Sequence, residues 1–225
     1  MMPSSTVEDY LLAIYSLNYE NTEVIAARLA ERLSVSAPTV SATMDRMVRD
    51  GYVTVNNDHS IELTDHGLVL AERVARRHRL TERWLADMLD LDWVMLHEEA
   101  HRLEHSISPA LEARISEVLG HPETCPHGNP IPGNARNWSN KGMVQLSSAS
   151  PGAPMRVARI SELVEDDVHI MAYLQGKRLI PGTRLTVQEI TPFENVVIQI
   201  GQETVAVDPQ VASRIWVSAD DGKHP

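Results

Sequence analysis

Between Val24 and Thr64 the chain runs through two short helical stretches, a serine-bounded break and two brief apolar strands, and few folds accommodate that order. Val24 to Leu33 has helical character and stops at Ser34-Val35-Ser36. Ser36 then offers an N-cap, Pro38 sits in the first turn where its missing N–H costs nothing, and Val40, Met44, Met47 and Val48 form one apolar stripe up to Asp50-Gly51. Tyr52-Val53-Thr54-Val55, the polar Asn56-Asn57-Asp58-His59-Ser60 and Ile61-Glu62-Leu63-Thr64 make a hairpin. A helix pair alone occurs in any small bundle; a capped second helix followed at once by a hairpin predicts a winged helix-turn-helix. Thr6 to Leu17, with Val7, Tyr10, Leu11, Ile14, Tyr15 and Leu17 at helical spacing behind Ser4 or Ser5, adds a helix in front of it.

In such a unit the helix after Ser36 enters the DNA major groove. Its leading face carries Ser36, Pro38, Thr39, Ser41 and Ala42, with hydroxyls for phosphates or base edges and small apolar groups for thymine methyls. Arg28, Arg32, Arg46 and Arg49 are the candidate phosphate clamps, although Glu31, Asp45 and Asp50 interleave with them as on any solvated helix face. A formal charge of −11 argues against coating nucleic acid by bulk electrostatics, but sequence-specific binding needs only a local basic surface.

A second constellation lies downstream. His97, His101, Glu104 and His105 fall within roughly a 100° arc of one helix, and His78 and Glu82 stand one helical turn apart. Imidazole and carboxylate are the donors that divalent metals of intermediate and hard character prefer; the plain alternative is a solvated His/Glu-rich surface. His97-Glu98-Glu99-Ala100-His101 also satisfies the H-E-x-x-H pattern of zinc metallopeptidases. A catalytic zinc, however, needs a third protein ligand and an open position, whereas this helix continues into Glu104 and His105 behind a winged-helix pattern.

Around these motifs, Thr64-Asp65-His66-Gly67 opens a long helix reaching towards Leu89, the ligand helix follows from Asp92, and Pro109 to Leu119 forms an amphipathic helix. Its Leu111, Ile115, Val118 and Leu119 suggest a dimer seam, or else core within one subunit. From Gly120 to Pro154 Gly, Pro, Asn and Ser dominate; Cys125 and His127 in Cys125-Pro126-His127 serve turn geometry more readily than metal. Strands at Met155–Ile160, Arg184–Ile190, Asn195–Gly201, Glu203–Val207 and Arg214–Val217, with a helix from about Asp166 to Leu174, predict a small β-barrel. The fold class is α+β, mainly α, with units over 1–64, 65–140 and 154–219 and a linker over 141–153. One cysteine, no basic-then-apolar leader and no membrane-length apolar run lead us to expect a cytoplasmic protein with no membrane partner. A winged-helix regulator whose barrel senses another small molecule, with purely structural metal, is a second reading.

Glu8-Asp9-Tyr10-Leu11, Ile25 to Leu33 with Ser36-Ala37-Pro38-Thr39-Val40-Ser41, Arg77-His78-Arg79-Leu80-Thr81-Glu82-Arg83, His97 to His105 and Gly128-Asn129-Pro130-Ile131-Pro132-Gly133 occur in an order that resembles the diphtheria toxin repressor family over essentially the whole chain. The resemblance is to metal-dependent transcriptional repressors, nearest to the manganese transport regulator type with a C-terminal SH3-like (FeoA-type) domain. It implies a homodimer that binds operator DNA with a divalent metal as co-repressor and controls metal uptake. It also implies a primary metal site of Asp9, His101, Glu104 and His105, and an ancillary site of His78, Glu82 and His97. A further ligand from the C-terminal domain would be Asp167, with Ile170 where a polar ligand is expected. Iron-type members carry methionine and cysteine in the primary site; Asp9 and His101 here make a harder shell. Mn(II) is the expected metal, Fe(II) the second, with Zn(II) or Co(II) able to substitute in vitro.

Overall fold

The computed structural model describes residues 3–135, 140 and 142–220. Helix α1 (Ser5–Tyr19) begins at Ser4, whose hydroxyl accepts the Val7 N–H. Helices α2 (Ala26–Arg32) and α3 (Ala37–Arg49) follow, and Ser36 caps α3 by accepting the Thr39 N–H. Strands β1 (Val53–Val55) and β2 (Ile61–Leu63) pair antiparallel, Val53 opposite Leu63. Their core joins Leu11, Ile14, Leu29, Val40, Met47, Val53 and Ile61, all essentially buried, so the predicted winged helix is the fold observed.

Helix α4 (Asp65–Leu89) is capped by Thr64 and ends at Asp90, in the left-handed region with φ 51°. A 3-10 turn (Trp93–Met95) leads into α5 (Leu96–Glu104), and Ser108 caps α6 (Pro109–Val118). The α6 stripe divides: Ile115 packs with Leu80, Ile107 and Ile131, whereas Leu111 and Val118 remain exposed.

The C-terminal unit comprises β3 (Met143–Gln145), β4 (Pro154–Ile160), α7 (Val168–Gly176), β5 (Arg184–Ile190), β6 (Val196–Ile200), β7 (Glu203–Val207), α8 (Pro209–Ala212) and β8 (Ile215–Ala219). Its six strands pair antiparallel in the order β3-β8-β4-β5-β6-β7, with irregularities at Val157/Arg159 and Val187/Glu189 of the kind that bend a sheet. The expected linker 141–153 is corrected here. Met143–Gln145 pairs with Trp216–Ser218, and Leu146 is fully buried in the sheet's core, because backbone pairing with a distant strand overrides weak local signals. Residues 136–139 and 141, at the expected boundary, lie outside the described residues.

Buried polar ties hold the C-terminal unit on the helices. Glu162 receives Arg79 Nε at 2.9 Å, Arg79 Nη2 at 3.0 Å and the Ser16 hydroxyl of α1. Arg159, fully buried, pairs with Glu20, which also accepts Trp216 Nε1 at 3.0 Å. The Gly128 loop fits beneath this contact. Its φ is +88°, and a Cβ there would meet the Ala158 carbonyl at 2.3 Å, so the close approach requires glycine.

Candidate metal centre

Helix α5 presents its donors as the 3.6-residue period dictates, and α1 and α4 bring the rest. Asp9, His101, Glu104 and His105 each offer a ligand atom, all within 4.8 Å of one another. His105 Nε2 lies 2.8 Å from Asp9 Oδ1 and 3.4 Å from Glu104 Oε1, and His101 Nδ1 lies 3.2 Å from Glu104 Oε1. Glu8 orients the ring: its Oε2 is 2.7 Å from His105 Nδ1, and its Oε1 accepts from Arg77 at 2.7 Å. Burial works against the His105 imidazolium, but the hydrogen bond to Glu8 and the charges of Glu104 and Asp9 outweigh it and raise its pKa. Burial also raises that of Asp9, against the pull of His105 and His101.

The second cluster lies deeper. His78, Glu82, His97 and Glu165 are all buried, with ligand atoms again within 4.8 Å. His78 Nε2 lies 3.2 Å from Glu82 Oε1 and 2.9 Å from His97 Nδ1, and His97 Nδ1 is 3.0 Å from Glu165 Oε2. Burial disfavours a charged His78, yet Glu82 and Glu104 push its pKa up to about 9. Glu82 also belongs to a third group with Cys125 and His127, in which His127 Nδ1 lies 3.3 Å from both Glu82 Oε1 and Glu165 Oε2. Burial, then the Glu82 charge, pushes the Cys125 thiol up to about 12.

The donors fit a divalent cation. Glu82 Oε2 is buried without a hydrogen-bond partner, and a carboxylate oxygen left so is costly unless a cation is close. Imidazole, carboxylate and one thiol are donors that such ions accept.

Asp167 is not among these groups, which corrects its expected ligand role. Its carboxylate caps α7, accepting the N–H groups of His169 at 2.9 Å and Ile170 at 3.1 Å, while Glu165 and Asp166 approach His97. Sequence reasoning passed over Glu165, Asp166 and Glu8, and gave Cys125 and His127 to turn geometry more readily than to metal. The adjacent acids of Glu165-Asp166-Asp167 were the available signal.

On the winged helix, Ser36, Pro38, Thr39, Ser41 and Ala42 form an exposed face, although the Ser36 and Thr39 hydroxyls also bond each other at 2.8 Å. Arg49 is exposed beside Asp50, Arg28 faces Glu23 at 3.5 Å, and Arg46 is half-buried. Arg32 is no free phosphate clamp; it pairs with Asp166 and donates to the Glu162 carbonyl at 3.0 Å. Glu98, which a peptidase would need as general base, is exposed and paired with Arg102.

Comparison with known proteins matches this architecture. Residues 2–61 match "Iron dependent repressor, N-terminal DNA binding domain", residues 64–133 "Iron dependent repressor, metal binding and dimerisation domain", and residues 144–219 the FeoA domain. The chain is 40% identical over 222 residues to the iron-dependent repressor IdeR of Mycobacterium leprae (strain TN), covering 94% of this chain and 96% of the relative. It is 50% identical over 228 residues to the diphtheria toxin repressor of Corynebacterium glutamicum, covering 96% and 97%. Among solved structures, a manganese-dependent transcriptional repressor in complex with manganese superposes with a TM-score of 0.85 at 33% identity, covering 95% of this chain and 99% of that one. The manganese regulator SloR gives 0.81 at 29%, covering 98% and 100%. Two family models that together span most of the chain, and relatives at 40–50% identity over nearly its whole length, show that the chain belongs to the iron-dependent and diphtheria toxin repressor family of metal-dependent, DNA-binding transcriptional repressors.

Proposed function

We propose a Mn(II)-activated repressor of metal-uptake genes, with Asp9, His101, Glu104 and His105 as primary site and His78, Glu82, His97 and Glu165 as ancillary site. The observation that carries the reading is the 2.8 Å approach of Asp9 on α1 to His105 at the end of α5. Asp9 precedes the helix-turn-helix in the chain, so a bond network through it ties the DNA-binding unit to α4 and α5. A bound cation supplies the charge that lets two carboxylates and two imidazoles converge there. The arrangement it favours gains about 2.7 kcal/mol at ~100-fold excess over Kd.

Two carboxylates and no sulfur in the primary set favour Mn(II), with Fe(II) next and Zn(II) or Co(II) as in-vitro substitutes. Relatives named for iron and for manganese both occur, so the choice rests on donor chemistry. The units that carry these roles are 1–64 for DNA, 65–140 for metal and dimerisation, and 154–219 for the SH3-like domain, to which β3 also belongs. Exposed Met88, Leu89, Met95 and Leu103, with Leu111 and Val118, supply an apolar surface for a homodimer. Its two α3 helices, through Ser36, Pro38, Thr39, Ser41 and Ala42 with Arg28, Arg46 and Arg49 on phosphates, read half-sites roughly 34 Å apart or a multiple of that.

No described helix is long and apolar enough to cross a membrane. The family comprises repressors rather than enzymes, and Glu98 keeps its surface pairing.

The deciding experiment measures binding of the metal-stripped protein to a duplex library, then with Mn(II) and with Fe(II) anaerobically at fixed salt. Selective binding that appears with Mn(II) at lower free metal than with Fe(II) supports the reading. Selective binding without metal overturns the switch, and the reverse metal order overturns the manganese assignment.

A further inference from the structure

His97 uses its two ring nitrogens in opposite directions. Nδ1 faces the buried cluster, whereas Nε2 lies 3.0 Å from Asp166 Oδ1. The second oxygen of Asp166 is paired with Arg32, the last residue of α2 and therefore part of the helix-turn-helix. One carboxylate thus touches an imidazole of the ancillary cluster and a guanidinium of the DNA-binding unit. All three side chains border a cavity of about 490 Å³ that also reaches Asp9 and His101. The His97 and Arg32 side chains are 7% and 15% exposed, so neither is an ordinary surface group, while Asp166, at 56%, meets solvent.

We infer that Asp166 is a positioning residue that links the ancillary metal site to the helix-turn-helix through His97 on one side and Arg32 on the other. The inference rests on the metal-centre reading above. A histidine that gives Nδ1 to a metal keeps its remaining proton on Nε2, the form whose N–H donates to Asp166. That bond fixes the ring plane and, through Oδ2, the C-terminal end of α2. A half-exposed arginine–aspartate pair contributes little stability by itself. Its effect is directional: α2 is held in one place when the ring is held in one orientation, and the coupling acts equally in both directions.

The test uses the full-length, metal-stripped protein without DNA. Calorimetric titration with Mn(II) is run in an Asp9→Asn background, which leaves the ancillary site to be read alone, and amide hydrogen exchange over α2 is followed with and without Mn(II) in the otherwise native chain. Asp166→Asn is expected to weaken the ancillary site roughly 10–100-fold and to abolish the metal-induced protection of α2. Arg32→Ala is expected to retain ancillary affinity within a few-fold while losing the same protection. Native affinity together with native α2 protection in Asp166→Asn overturns the link, as does unchanged protection in Arg32→Ala. A native chain that takes up no Mn(II) overturns the metal-centre reading itself, a result distinct from either.

Discussion

Glu104 Oε2 lies 2.6 Å from His78 Nδ1, while the other oxygen of the same carboxylate faces His101 and His105. The two donor clusters therefore share a residue's two edges. Burial would raise the Glu104 pKa, but the His78 charge and the hydrogen bonds from His101 and His78 hold it at about 2.

Substitution Glu104→Gln should consequently damage both sites. It removes an anionic ligand from the primary set and frees His78 from its orienting partner, which costs roughly 10–100-fold in affinity at the ancillary set. Calorimetric titration checks this; an ancillary site of unchanged affinity would show that the clusters are independent.

Asp9→Ala should leave the winged helix folded and remove the metal response, because Asp9 is only half-buried and contacts α5 through its carboxylate. The native protein gains about 2.7 kcal/mol against unfolding at ~100-fold excess of metal over Kd. We expect the variant to lose most of that gain, along with metal-dependent operator affinity. Urea titrations with and without Mn(II) measure the first and fluorescence anisotropy the second.

Metal uptake should release protons. With its pKa raised to about 9, His78 is protonated at pH 7.5 in the metal-free protein, and a ligating imidazole must be neutral. Affinity at the ancillary site should thus rise with pH until about 9. Titration in buffers of different ionisation enthalpy should show at least about one proton released per ancillary site; buffer-independent heats would count against His78 as a ligand.

The Arg79–Glu162 pair makes an acid-stability prediction. Burial alone would raise the Glu162 pKa, but Arg79 and Ser16 hold it well below its ordinary 4.5. A depressed folded value means stability that is fully present above 4.5 and lost as pH falls below it. Glu162→Gln should cost roughly 3–5 kcal/mol at pH 7 and flatten the acid limb. Urea midpoints of both proteins from pH 7 to 3 decide; parallel limbs would remove Glu162 from the account.

On the DNA side, Arg49→Ala should weaken binding about equally across sequences and reduce the salt slope by about 1, as expected for one lost phosphate contact. A change confined to one base position would instead make Arg49 a base reader.

Much of this was legible locally. Ser36 and Pro38 marked the start of α3, and the four donors from His97 to His105 marked a helix face, because caps and periodicity act within a few residues. What escaped was non-local. Strand β3 spans three residues in a Gly- and Ser-rich stretch and exists only through pairing with β8, some seventy residues later. Glu165 reaches His97 while Asp167 caps α7, a register that a run of acids does not disclose. Arg32 reads locally as a candidate phosphate clamp on a helix; its partner lies in another unit.

The buried Arg79–Glu162 and Arg159–Glu20 pairs have a consequence for how this chain is cut. Deleting the C-terminal sheet would strand Arg79 and Glu20 as uncompensated charges on the helices that remain. Three modules that match as separate families should then melt as one cooperative unit, with a single calorimetric transition where independent modules would give three.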